Sequence, residues 1–301
     1  LSPLISVIIP TKNRPELLNS LITKILEFGL KSLEIIVVDS SDEPKQSLNL
    51  MHKPNVKYIL TTIKSAAIQR NIGIENAKNS KFIFFLDDDV FPDESYFEKC
   101  LTHLKREEVI GVSGLAVSEE NLRPRVIPSG LIGLFQSIFL LDSKQDGVVL
   151  KSGINIPVRN LKGKHQAVDW LIGCSAWKVK FIGKTRFEQD FVGQSLGEDV
   201  IFSIRMGRKG QLITDPKIYL KHFESDIERP RKQEFWRMWV ANRKRLIEVA
   251  EFGIVGNLAF WWSNIGQIII LFYSKLRNPR SQDGAICGLL LGCKEVLKGK
   301  N

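Results

Sequence analysis

The sequence predicts an α/β fold: a doubly wound, mainly parallel sheet followed by a helical C-terminal extension. Three observations carry this reading. Short apolar runs alternate with stretches of helical spacing over roughly the first 115 residues, with short connections. The runs are apolar without alternation, as strands covered on both faces require. The last quarter then changes character, becoming basic and afterwards free of charge for a long stretch.

Residues 4–9, Leu-Ile-Ser-Val-Ile-Ile, form the first strand and stop at Pro10. Asn13 is placed to cap the next helix, with Pro15 in its first turn. Leu17, Leu18, Leu21, Ile22 and Ile25 keep helical spacing. Residues 33–38 make a second strand that ends at Asp39. A short third strand falls near Val56–Leu60, and a helix runs from about Ser65 to Lys78. The fourth strand, Phe82-Ile83-Phe84-Phe85-Leu86, runs directly into Asp87-Asp88-Asp89. Asp93 starts another helix, and Val109–Ser113 is another strand.

Residues 116–165 are less regular. Ser129–Leu141 is apolar, and Ser152–Lys164 is rich in turn residues. Long insertions between sheet elements are often binding loops. Further on, Gly197 ends a loop, and Glu198 and Asp199 open a helix carrying Val200, Ile201 and Ile204. Carboxylates in a first helical turn are favoured by the helix dipole, so a capping role is open for both. Two strand-like stretches, Gln211–Thr214 and Lys217–Lys221, lead to His222.

The chemistry concentrates where strands end. Carboxylates are costly to bury unpaired, so the fourth strand must stop at Asp87. In open α/β sheets ligands bind at the carboxyl ends of strands. Three adjacent acids there repel one another unless a cation sits among them, which suits a hard divalent metal. A plain acidic turn is the alternative. Asp39 should share the same rim. No Gly-x-Gly-x-x-Gly follows the first strand and no Walker Gly-Lys-Ser/Thr occurs. Phosphate would therefore have to be held by a metal and Arg70.

Five pieces in order resemble a family 2 glycosyltransferase of the A-type, the nucleotide-diphospho-sugar transferase fold, and within it the bacterial surface-glycan, rhamnosyltransferase-like members. They are Val7-Ile8-Ile9-Pro10-Thr11-Lys12-Asn13-Arg14, Glu34 to Asp42, Gln69-Arg70-Asn71-Ile72-Gly73-Ile74 to Ala77, Phe84 to Asp89, and Gly197-Glu198-Asp199. The resemblance implies an inverting transfer of a hexosyl or deoxyhexosyl group from a nucleotide-diphosphate sugar to a glycan or lipid-linked acceptor. Pro10, Thr11, Asn13 and Asp39 would surround the nucleoside, and Arg70 would lie by the diphosphate. Asp87 and Asp89 would form the Asp-x-Asp element. Asp89 would touch Mn²⁺ or Mg²⁺ directly, and Asp87 would act through the ribose or a metal-bound water. Asp88 would turn back into the protein from the donor site. Asp199 matches the catalytic base, and His222 a late position that reaches the metal or diphosphate. Trp170, Gly173 and Glu198 fall on the acceptor side. There Gly-Cys-Ser-Ala-Trp-Lys at 173–178 lacks the paired arginines many members carry, and Trp170 and Trp177 fit core positions as well as sugar platforms. The expected division is a transferase domain over 1–225, with a donor-binding half at 1–115 and an acceptor and catalytic half at 116–225, then an extension over 226–301.

That extension carries the charge asymmetry. The chain has a net charge of +10. Residues 226–301 hold 13 Lys and Arg against 7 Asp and Glu, or +6 of that total. Phe252 to Ser274 is 23 residues without charge, long enough to span a bilayer. Asn257, Asn264 and Gln267 interrupt it, and Trp261 and Trp262 lie mid-segment. The pattern fits a helix lying in the membrane interface beside basic residues, with spanning, and ordinary core packing or an oligomer contact, left open. A location at the cytoplasmic face of the cell membrane follows, with no signal peptide expected at the start. Four cysteines without metal spacing read as buried free thiols. Two other classes fit less well. A nucleotidyltransferase making activated sugars would need a glycine- and lysine-rich opening loop. A nucleic-acid binder would place its charge in a recognised module, not beside apolar runs.

Overall fold

A computed structural model of the chain describes residues 4–43, 55–77, 79–117, 130–159, 163–189, 197–223, 231–278 and 284–299. The elements in chain order are β1 (Ile5–Thr11), α1 (Pro15–Glu27), β2 (Leu33–Asp39), β3 (Val56–Leu60), α2 (Ala66–Asn76), β4 (Phe82–Phe85), β5 (Val90–Pro92), α3 (Tyr96–Leu104), β6 (Val109–Val117), α4 (Gly130–Ile138), β7 (Gln166–Ala167), β8 (Ser175–Lys178), α5 (Val179–Ile182), α6 (Glu198–Gly207), β9 (Gln211–His222), α7 (Lys232–Val249), α8 (Gly253–Arg277) and α9 (Ala285–Leu297). They fall into two compact units, Leu1–Pro124 with Asn160–Ser225, and Arg125–Arg159 with Asp226–Asn301. The continuous division at residue 225 therefore differs from the structure, which groups Arg125–Arg159 with the C-terminal segment.

The first unit is a mixed, mainly parallel sheet between helices. Its strand order is β3-β2-β1-β4-β8-β6-β9-β5, with β7 paired to β9. β1, β2, β3 and β4 run parallel, in a register that sets Thr11 opposite Asp39 and Ile8 opposite Phe85. The strands alternate their side chains between two layers, as a period of two requires. Val7, Ile9, Ile35, Val37 and Phe84 pack on one face with Leu18 and Leu21 of α1 and Phe97 of α3. Ile8, Ile36, Val38 and Phe85 pack on the other with Ala67 of α2 and Phe202 and Met206 of α6. Both faces are covered, which is why these runs show no polar alternation.

Three local readings change. Asn13 does not cap α1. Arg14 is the N-cap residue and makes no side-chain cap bond, while Asn13 has φ 56° and exchanges hydrogen bonds with Asp42. The two late strands are one, β9, because Asp215–Ile218 forms a bulge that lets pairing with β6 resume at Tyr219. The apolar stretch before Lys178 yields β8, antiparallel to β4 and β6.

The second unit packs α7, α8 and α9 around Val240, Ile247, Phe260, Leu271 and Leu289. The segment after α4 is tied by Arg159, which donates to Asp142 and Asp146. α4 joins α8 through Trp262, whose Nε1 donates to the Ile138 carbonyl and whose ring stacks on Phe139. Cys100 and Cys174 are buried free thiols as read, but Cys287 is exposed.

Candidate active site

The parallel block brings β1, β2 and β4 to one rim. Asp39 is the last residue of β2 and lies opposite Thr11. Its Oδ1 accepts from the Ser41 N–H at 2.7 Å, and its Oδ2 from the Tyr58 hydroxyl. Beside it opens a cavity of about 310 Å³ lined by Thr11, Asn13, Arg14, Asp39, Ser41 and Tyr58. Pro10 lies inside the sheet opposite Val38. Gln69 stitches the floor, donating Nε2 to the carbonyls of Thr11 and Val38.

The chain passes the end of β4 with the Leu86 N–H donating to Ile8 O, and the three acids follow. Each takes a different set of partners. Asp87 Oδ1 accepts from Arg70 Nη2 at 2.6 Å, and its Oδ2 from the Cys174 thiol at 3.5 Å. Asp88 turns inward, accepting from Thr11 Oγ1 at 2.7 Å and Arg14 Nη1 at 2.9 Å. Asp89 accepts from the same Arg14 nitrogen at 2.8 Å, and its Oδ1 lies 3.6 Å from His222 Nε2. Strand pairing explains that last contact. Val90 of β5 lies opposite His222 of β9, and the Phe223 N–H donates to Asp89 O.

Arg70 is only 3% exposed. It sits under the rim rather than on it, donating to Asp87 and, through Nη1, to Glu198 Oε1 at 2.6 Å. Burial alone would weaken its charge, but the two carboxylates hold its proton above the ordinary range. Gly173 packs against this pair, since a Cβ there would stand 3.0 Å from Arg70 Nη2. Trp170 and Trp177 are both buried, and Trp177 packs edge-on to Phe202. Both therefore read as core. Glu198 is engaged by Arg70 and is not free as a base. Asp199 is half-buried at the start of α6, its Oδ1 accepting from the Val200 N–H. Gly197, at φ 92°, supplies the left-handed turn into that helix.

The electrostatics are those of a crowded anionic rim. Burial pushes Asp88 up to about 6 and Asp199 up to about 6, against the pull of Arg14 and Arg70 respectively. Burial pushes Glu198 up to about 8, and burial with the neighbouring Asp87 raises Asp89. Five carboxylates (Asp87, Asp88, Asp89, Glu198, Asp199) share two guanidinium groups, Arg14 and Arg70. A third cation would relieve that field. Asp89 and His222 offer an oxygen and a nitrogen for a Mn²⁺-type ion, whereas both oxygens of Asp87 already have donors. The residues fit a divalent ion at Asp89 and His222, with Asp87 one step removed.

The sequence alone assigns no site role to Arg14, Tyr58 or Cys174. Arg14 closes the stretch Val7–Arg14. Two acids needing a cation was the signal for it. Tyr58 and Cys174 had none, because their contacts depend on strand register.

The sequence pattern of Glycosyl transferase family 2 matches residues 6–157, just over half of the 301-residue chain. Among curated proteins, the Staphylococcus aureus (strain N315) poly(ribitol-phosphate) beta-N-acetylglucosaminyltransferase TarP is 23% identical over 196 residues, covering 58% of this chain and 60% of its own. A Campylobacter jejuni GalNAc(5)-diNAcBac-PP-undecaprenol beta-1,3-glucosyltransferase is 39% identical over 93 residues, covering 29% of this chain and 30% of its own. The chain thus spans less than two thirds of the length of each of these relatives. Among solved structures, the mannosyltransferase PcManGT from Pyrobaculum calidifontis, in complex with GDP-Man and Mn²⁺, aligns with a TM-score of 0.57 at 16% identity, covering 100% of this chain and 89% of that one.

Proposed function

The chain belongs to glycosyl transferase family 2, and from that premise we propose that it is an inverting glycosyltransferase. It moves a hexosyl or deoxyhexosyl group from a nucleotide-diphosphate sugar to a glycan or lipid-linked acceptor at the cytoplasmic face of the cell membrane. The observation that carries this is a cavity at Asp39, the acids Asp87–Asp89 and the carboxylate of Asp199, close enough to feel Arg70 and Asp87, gathered at the strand ends.

The nucleoside enters the cavity, with Asp39, held by Tyr58 and Ser41, accepting from base or ribose. Asp89 and His222 would hold Mn²⁺ or Mg²⁺, whose charge would offset that of a departing diphosphate. Arg70 fixes Asp87 and Glu198 in place from below. Asp199 accepts the proton of the acceptor hydroxyl as that oxygen attacks the anomeric carbon from the face opposite the leaving diphosphate. One base and one displacement invert the anomeric centre, and no covalent enzyme intermediate is needed. The GDP-Man bound by PcManGT and the PP-undecaprenol in the name of the Campylobacter relative support these substrate classes.

The second unit supports a membrane partner. α8 is long and apolar enough to cross a membrane, and it is apolar on both sides, burying Phe260 and Leu271 while leaving a row of large apolar residues exposed. Asn264, 2% exposed, and Ser263 face inward and accept from Arg243. Ile254 (80% exposed), Leu258 (67% exposed), Ile265 and Leu276 face outward. α4, with no buried residue, adds Leu131 at 84% exposure beside it. An exposed apolar surface of this extent, with Lys275 and Arg277 at the end of α8, suits insertion among anionic headgroups with the helix lying flat.

The test is release of nucleoside diphosphate from UDP-, GDP- and dTDP-sugars, rhamnose donors included, with and without Mn²⁺ and a polyprenyl-linked acceptor. Metal-dependent release that requires acceptor is expected. No release from any donor would overturn the proposal.

A further inference from the structure

Away from the rim acids, the first unit gathers two imidazoles and a carboxylate that no step of glycosyl transfer uses. The ligand atoms of His103, His165 and Asp215 all lie within 4.8 Å of one another. His103 lies in α3, His165 just before β7 and Asp215 in β9. β7 pairs antiparallel with β9, with Gln166 opposite Thr214. The next positions outward are His165 and Asp215. Asp215 opens the β9 bulge, where the Lys217 N–H donates to its Oδ1 at 2.9 Å. That bond aims Oδ2 at His103 Nε2, 2.8 Å away, in the last turn of α3. The His103 and His165 rings meet edge-on, with centroids 5.0 Å apart. Asp215 is buried, His103 half-buried and His165 exposed, so the cluster has a fixed base and an open mouth.

We propose that His103, His165 and Asp215 bind one Zn²⁺-class transition-metal ion, with water in the fourth position. Two imidazole nitrogens and one carboxylate oxygen are a donor set that Zn²⁺ takes in tetrahedral geometry. It differs from the rim, where carboxylate-rich surroundings suit a hard ion. The ion acts as a clip. β7 is two residues long and gains little from its own pairing. A metal joining His165 to Asp215 and His103 ties β7 to β9 and α3. β7 leads through Trp170 to Gly173, which packs on Arg70. The clip therefore fixes the entry of the segment beside the rim. That consequence rests on the proposed transferase site. Ion binding does not.

The test is Co²⁺ titration of the full chain after dialysis against chelator. One equivalent should give the intense visible absorption of tetrahedral cobalt, which an octahedral carboxylate site does not produce. Zn²⁺ should displace it and raise the melting temperature. His165→Ala, at an exposed position, should weaken Co²⁺ binding more than about 100-fold, beyond the roughly 10–100-fold that loss of an outer-shell partner costs. His103→Gln should do the same, and Asp89→Asn should leave the band intact. No tetrahedral band, a band unchanged in His165→Ala and His103→Gln, or a band lost only in Asp89→Asn would each overturn the proposal. Absence of sugar transfer from the unsubstituted chain, with the band present, would count against the transferase reading instead.

Discussion

Replacing Asp199 with Asn tests the assignment of the base most directly. The substitution keeps the shape of the side chain and the oxygen that accepts from the Val200 N–H, but removes the proton acceptor. A positioned general base contributes about 10²–10⁴-fold, or roughly 3–5 kcal/mol of barrier. Asp199→Asn should lower kcat by that amount. Donor affinity should change little, because the cavity at Asp39 and the pairs at Asp87–Asp89 do not use Asp199. The pH profile adds an independent reading. Burial raises Asp199 to about 6, opposed first by Arg70. A base works only when ionised, so activity should rise with pH through about 6. At pH 5 it should be about a tenth of its plateau.

The assay is nucleoside diphosphate release at saturating donor and acceptor from about pH 5 to 9, with donor affinity measured separately by calorimetry. Asp88, also raised to about 6, titrates in the same range. The limb that disappears in Asp199→Asn is the one that belongs to the base. A variant that keeps more than a tenth of wild-type kcat would refute the assignment. So would loss of donor binding, which would make Asp199 a helix-start residue that shapes the donor site.

Other predictions follow from the same geometry. Glu198 has its folded-state value raised to about 8 from 4.5, so the folded state holds the proton more tightly than the unfolded chain. The stability this contributes is complete below about pH 4.5 and is lost as pH rises toward about 8. Glu198→Gln should flatten that part of the stability curve by a few kcal/mol, on the order of one per pH unit. Urea melts at several pH values would show a slope as steep as wild type if the reasoning fails. Gly173→Ala should destabilise by about 1–3 kcal/mol, because its Cβ would stand 3.0 Å from a guanidinium held by two carboxylates. An unchanged melting temperature would mean that Arg70 can shift. Leu131→Asp with Leu258→Asp, both at exposed positions, should leave the melting temperature within a degree or two and abolish flotation with anionic vesicles. Undiminished flotation would place the membrane contact elsewhere.

Much of the first unit was legible because its signals are local. A strand buried on both faces reads as an unbroken apolar run, and the parallel block β1–β4 follows from that and from short loops. The acids at Asp39 and Asp87–Asp89 could be assigned to one rim because parallel strands end on one side. What could not be read depends on register or on competing partners. Arg70 looked free to meet a diphosphate, but Glu198, distant in sequence, claims it from below. The pairing of His222 with Asp89 needs the β5–β9 register, and no periodicity encodes that. The His103, His165 and Asp215 cluster was invisible for the same reason. Asp215 sat in what looked like a gap between two strands, and only the bulge makes it part of one.

The ambiguity of residues 252–274 has a different origin. A helix with polar and apolar stripes can turn either stripe inward, and the usual solvent argument picks the apolar one. Here Arg243 of α7 decides. Its guanidinium is buried between the rings of Trp239 and Phe260 and pushed down to about 9 by that burial. With no carboxylate among its described partners, it needs neutral acceptors. Ser152 O, Ser263 Oγ and Asn264 Oδ1 supply them. Meeting that demand holds Ser263 and Asn264 inward, on the face that also buries Phe260 and Leu271. Ile254, Leu258 and Ile265 are then carried outward, as is Trp262 in part. In water such an arrangement leaves apolar area exposed at about 25 cal/mol per Å². Among lipid chains that cost vanishes. The outward row of α8 is therefore the face that the proposed membrane contact would cover, and that contact requires no spanning segment.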